Sequence, residues 1–229
     1  MLGDVLLITE VHKEAAREIK NVALKDWEAK RKKYSNEYYR YIVAISGESG
    51  SGKSELSHSL SKFFKEDGIR VKILHTDNYY KIPPMLRAEW RNTKGLHTVG
   101  LSEYNWDLID ENIDDFKNGR KAKMPCIDII PEQVDQLITD FDSIQMLVID
   151  GLYAINVNQV DLKIFIELTY HETKMAQITR MKEPMNPYRK EVLEREHQSV
   201  NSLKHLADYY IDKNYDLVKA KKPDSPSTE

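Results

Sequence analysis

The chain has 229 residues, 41% of them hydrophobic, with a formal net charge of -3. It is long enough for one substantial core and lacks the overall positive field of a non-specific nucleic-acid binder. Its single cysteine, Cys126, can form no internal disulfide, and the opening MLGDVLLITE holds an apolar run too short to span a membrane, with no basic residue ahead of it. A cytoplasmic protein is expected, with a small-molecule or protein partner rather than a nucleic acid or a membrane.

Residues 9 to 39 contain neither Gly nor Pro and set Val11, Ala15, Ile19 and Val22 at helical spacing. The spacing predicts one long amphipathic helix, whose apolar stripe needs a partner. Its own domain is the preferred partner and a second copy of the chain the alternative, so a homo-oligomer stays open. From residue 41 to about 218, short β-branched runs alternate with helical patterns. Strands are predicted over Tyr41 to Ser46, Arg70 to His75, Gln145 to Ile149, Leu162 to Glu167 and Tyr209 to Ile211. This implies an α/β fold of three layers, a parallel five-stranded sheet with helices on both faces, plus the extra N-terminal helix. The expected organisation is a helical extension over 1–40, a main domain over 41–218 and a polar, proline-containing, disordered tail over 219–229.

The first strand runs into GESGSGKS, which fits G-x-x-x-x-G-K-[ST] and leads into a helix predicted over Ser54 to Lys65. Gly47, Glu48, Ser49, Gly50, Ser51, Gly52, Lys53 and Ser54 are therefore the nucleotide-binding candidates. Glycines allow successive backbone N–H groups to turn onto phosphate oxygens at a positive helix N-terminus. Lys53 would reach the β- and γ-phosphates of ATP, and the Ser54 hydroxyl would ligate Mg²⁺. The N-K-x-D string of guanine-specific GTPases and the L-S-G-G-Q string of transporter ATPases are both absent. Small-molecule kinases remain.

A kinase needs a second acid near the loop and a base for the acceptor hydroxyl. QMLVIDGLYAI is an apolar strand ending in Asp150, at the sheet edge where open α/β sheets bind ligands, so Asp150 is the second Mg²⁺-side candidate. RVKILH ends in TDNYY, and Asp77 would sit beside the loop if its strand neighbours the first or the third. Asp77 is the general-base candidate, a capping role being the alternative for both aspartates. His75 and His97 lie near the edge of this region, and His197 falls in a helical pattern that reads as lid or surface.

In this order the motifs resemble those of the uridine kinase and phosphoribulokinase family of P-loop kinases, over residues 41 to 211. GESGSGKS is similar to the family's phosphate loop, DNYY to the segment carrying its base, and YNWDLID to its Asn-Phe-Asp segment; KNGRKAKMPCID and HLADYYI also look like family stretches. The resemblance implies that Asp77 is the base, that Tyr80 faces the substrate, that Asp107 binds acceptor hydroxyls and that Arg180 of the lid covers the phosphates, with Lys182, Arg189 and Arg195 as helpers. It implies an ATP- and Mg²⁺-dependent transfer to a hydroxyl, most readily that of a nucleoside. Ile127 stands where uridine kinases carry a base-contacting tyrosine, which leaves the acceptor open. The alternative is a nucleotide-dependent switch whose N-terminal helix engages a partner.

Overall fold

The computed structural model describes residues 5–128, 133–173 and 186–221. Helix α1 spans Glu10–Lys33, shorter than the predicted run to residue 39. Lys30, Arg31, Lys32 and Lys33 suit the negative end of the helix, and Ser35 then turns to φ 48, where an α-helix cannot continue. Strand β1 (Tyr41–Gly47), helix α2 (Lys53–Glu66) and strand β2 (Val71–His75) follow, then α3 (Pro84–Lys94), α4 (Trp106–Lys117) and the strands β3 (Lys121–Asp128) and β4 (Gln133–Asp140). The remainder comprises β5 (Met146–Asp150), β6 (Leu162–Ile166), α5 (Pro187–Asn201), β7 (Tyr209–Ile211) and β8 (Leu217–Lys219).

The main sheet runs β2-β5-β1-β6-β7-β8, and all its pairings are parallel except β7 with β8. Among the described residues the sheet therefore holds the five expected parallel strands plus a sixth, antiparallel one at its edge. The five predicted strands are present; the added one, β8, covers only three residues, and two of these are exposed. Strands β3 and β4 form a separate antiparallel hairpin.

All seven residues of β1 are buried, as befits a central strand covered on both faces. Ile42 and Ala44 enter one apolar cluster with Ile113 and Phe116 of α4 and Val200 of α5. Val43 and Ile45 enter the other, with Leu56, Leu60 and Phe64 of α2 and with Ala15, Ala16, Ile19, Ala23 and Trp27 of α1. Helix α1 thus closes the core on the α2 face, although Val11, placed on its apolar stripe, remains 43% exposed. At the end of the sheet away from the glycine loop, the Asp161 carboxylate accepts from Ile42 N–H (2.8 Å), Tyr39 Oη (2.6 Å), Lys30 Nζ (3.0 Å) and Lys117 Nζ (3.3 Å), joining α1, β1 and α4. The expected disordered tail falls outside the described residues from 222 onward.

Candidate active site

Parallel pairing brings the C-terminal ends of β1, β5 and β2 together, with Ile45 and His75 both in register with Asp150. The loop after β1 crosses this edge and enters α2. Gly52 caps the helix at φ 94, a left-handed conformation that suits glycine, and a Cβ there would collide with Tyr215 Oη. Its carbonyls are tied down by side chains: Ser51 O accepts from Tyr215 Oη (3.0 Å), Ser49 O from Thr173 Oγ1 (3.2 Å) and Glu48 O from Lys53 Nζ (2.7 Å). The carbonyl and the N–H of a trans peptide point in opposite directions. The Gly50 and Gly52 N–H groups are consequently turned away from Thr173 and Tyr215. With the N–H groups at the N-terminus of α2 they form a concavity suited to an anion.

Asp150 stands at the head of β5, 3% exposed. Its Oδ1 lies 2.6 Å from His75 Nδ1, and its Oδ2 is buried with no hydrogen-bond partner among the described residues. Burial raises the carboxyl's pKa, but the His75 imidazole and the Lys53 ammonium together outweigh burial and hold it below the usual carboxylate range. A buried, ionised carboxylate with one open oxygen fits a hard cation, as does the half-buried Ser54 at the start of α2. Among the described residues no cluster of three or more His, Cys, Asp or Glu could hold a metal alone. Mg²⁺ would need phosphate oxygens as well, as is usual for that ion.

Asp77 lies in the 3-10 turn Thr76–Tyr79 that follows β2. Its strand neighbours β5 rather than β1, so it is two strand spacings, about 10 Å, from the loop strand. No side-chain cap closes this turn, and Asp77 is half-buried with no hydrogen bond to a described residue. The Tyr80 ring packs on Tyr104 (centroids 4.1 Å) and under the Arg87 guanidinium (3.5 Å). Burial first, and the Asp77 charge in addition, raise both phenols' pKa values well above the ordinary tyrosine range. Asp107 is exposed in the first turn of α4. Arg180 and Lys182 lie outside the described residues; Arg195 is exposed, and Arg189 lies 3.6 Å from Glu196.

Residues 42–220 match the family model described as Phosphoribulokinase / Uridine kinase family. The chain belongs to this family. It is 32% identical over 144 residues to a uridine kinase of Ureaplasma urealyticum, covering 61% of this chain and 68% of that protein. It is 26% identical over 183 residues to a uridine kinase of Staphylococcus aureus, covering 74% and 86%. Its fold is similar to that of a D-glycerate 3-kinase from Cryptococcus neoformans, with TM-score 0.63, 12% identity and 90% and 98% coverage of the two chains. It is also similar in fold to a possible uridine kinase from Bacillus stearothermophilus, with TM-score 0.54, 19% identity and 75% and 88% coverage.

Three pairings in this family member escaped sequence reasoning. Glu48 is a candidate only through its place in the loop motif, yet it is 3% exposed and its side chain accepts from Tyr170 N–H (2.8 Å), and its Oε1 lies 2.7 Å from His197 Nδ1 of α5. His75 partners Asp150, for which the only sequence signal is that both end strands at the same sheet edge. Arg91 of α3 forms a buried bidentate pair with Glu103, which nothing in their spacing announces. Ile127 is 2% exposed, so this side chain offers little surface to a ligand.

Proposed function

We propose that this family member is an ATP-dependent kinase that transfers the γ-phosphoryl group to a hydroxyl of a small molecule, a nucleoside being the leading acceptor. The observation that carries the reading is the phosphate loop, with its carbonyls tied away from the cradle, beside the buried open oxygen of Asp150. The nucleoside follows the uridine kinases that are 26% and 32% identical to this chain.

In this reading the backbone of Gly47 to Ser54 holds the polyphosphate, and Lys53 leaves Glu48 O to bridge the β- and γ-phosphates. Ser54 and Asp150 hold Mg²⁺ directly or through water, and the ion supplies neutralising charge to the phosphate oxygens. Asp77 accepts the proton of the attacking hydroxyl, Asp107 binds further acceptor hydroxyls, Tyr80 flanks the acceptor and Arg180 covers the phosphates. Catalysis then rests on in-line positioning and charge stabilisation, with no covalent enzyme intermediate.

The test is ADP release screened over nucleosides, sugars and sugar phosphates. One class should accelerate it strongly, and Lys53→Ala should keep the fold while losing about 10²-fold or more of that turnover. Slow ADP release that no hydroxyl acceptor accelerates would instead mark a nucleotide-dependent switch.

A further inference from the structure

Helix α1 precedes the family-matched residues 42–220, yet its first turn reaches the phosphate loop. His12 Nε2 stands 2.8 Å from where a Cβ on Gly52 would be, which sets the imidazole flush against the loop backbone. Tyr215, in the turn between β7 and β8, closes the same point, its ring edge-on to His12 with centroids 4.9 Å apart and planes at 75°. Tyr215 is 8% exposed and sits at φ 71, a conformation costly for a residue with a Cβ. Such strain persists where the surroundings over-determine it. What this conformation delivers is the hydrogen bond from Tyr215 Oη to Ser51 O.

The His12 ring is itself oriented. Thr9 N–H donates to His12 Nδ1 (3.1 Å), so a neutral imidazole carries its proton on Nε2, the nitrogen that faces Gly52 and Tyr215. Thr9 and His12 thereby couple the start of α1 to the peptide between Ser51 and Gly52.

We propose that His12 is a positioning residue for nucleotide binding. With Tyr215 it braces the Ser51–Gly52 peptide so that the Gly52 N–H is aimed at the polyphosphate before the nucleotide arrives. A glycine-rich loop without a brace samples many backbone states, and affinity falls in proportion to the fraction that is competent to bind. The inference rests on the nucleotide-binding part of the reading above and is independent of the acceptor.

The experiment measures ADP affinity by calorimetry on the full-length chain, together with melting temperature and acceptor KM. Tyr215→Phe keeps the ring and removes one hydrogen bond, and His12→Ala removes the ring. Each should raise the ADP Kd by about fivefold, which for Tyr215→Phe is the scale of one net hydrogen bond. His12→Gln, which can place an amide N–H near the Nε2 position, should restore most of the affinity. The double variant His12→Ala, Tyr215→Phe should lose less than the product of the single losses, because both act on one peptide. Acceptor KM should stay at its wild-type value.

Unchanged ADP affinity in both single variants would overturn the proposal. So would a His12→Gln variant no better than His12→Ala, or losses of ADP and acceptor affinity in equal proportion alongside a lowered melting temperature, which would mark a general packing role. Wild-type protein that binds ADP but phosphorylates no acceptor would sink the kinase reading alone, the brace still being judged by the Kd values. Wild-type protein that binds no ADP would overturn both.

Discussion

Replacement of Arg91 by alanine tests how α3 is held to Glu103 and to α5. Arg91 is 5% exposed, Glu103 4% and Glu196 6%. The guanidinium donates from Nε and one Nη to the two oxygens of Glu103 at 2.7 and 2.9 Å, and lies 3.7 Å from Glu196 Oε1. Arg91→Ala leaves both carboxylates buried. Glu196 keeps Arg189 at 3.6 Å, and Glu103 keeps one backbone donor, Gly100 N–H at 3.1 Å. Removing one partner of a buried pair costs about 3–5 kcal/mol, and the two retained contacts set the expectation at the lower end, about 3 kcal/mol. Against a whole-domain stability of about 5–15 kcal/mol this is a large loss. Urea unfolding at neutral pH, with a slope of about 2 kcal/mol/M, should therefore show a midpoint lowered by about 1.5 M at unchanged slope. The double variant Arg91→Met, Glu103→Leu removes both charges of the pair for similar volume and should recover part of that loss. A midpoint shift below about 0.3 M in Arg91→Ala, or a double variant as unstable as the single, would refute the reasoning.

Three further outcomes are expected. Asp77→Asn should lower turnover by about 10²- to 10⁴-fold with ATP affinity little changed, whereas Asp107→Asn should act mainly on acceptor KM; steady-state kinetics showing the reverse would interchange the two roles. Ile19→Ala, at a fully buried position of α1, should cost about 2–5 kcal/mol in denaturant unfolding, and an unchanged midpoint would mean that α1 contributes nothing to the core. The Lys213 ammonium first, and the Thr169 N–H with it, pull the Glu172 carboxyl down to about 2, so its stabilisation is complete above the ordinary glutamate value of 4.5 and disappears as the pH falls through about 2. Melting curves of wild type and Glu172→Gln should merge near pH 2 and separate above pH 4.5, more at low salt than at high; parallel curves across that range would contradict the assignment.

The phosphate loop, the strand before it and the helix after it are readable from residues alone because their causes are local. Glycine at Gly52 answers a left-handed backbone, and an uninterrupted apolar run answers a strand covered on both faces. The same holds for β2, β5, β6 and β7 and for most of α1, where neighbours in sequence supply the periodicity. Elements with weak local causes stayed hidden. Strand β4 is exposed at seven of its eight positions and shows no alternation of buried and exposed residues, and β8 is too short for a period to register.

The tertiary structure decided everything that depends on which strand lies beside which. Placing β5 between β1 and β2 puts His75 on Asp150, leaves Asp150 Oδ2 open beside the loop and sets Asp77 one strand further out. Folding α5 back over the sheet edge gives Glu48 its partner 149 residues away in His197. Packing α1 and the β7–β8 turn against the loop brings His12 and Tyr215 to Gly52 from opposite ends of the chain. A side chain's chemistry is written in its own identity, but the partner that orients it is chosen by packing between distant segments. That choice leaves no periodic trace in either one.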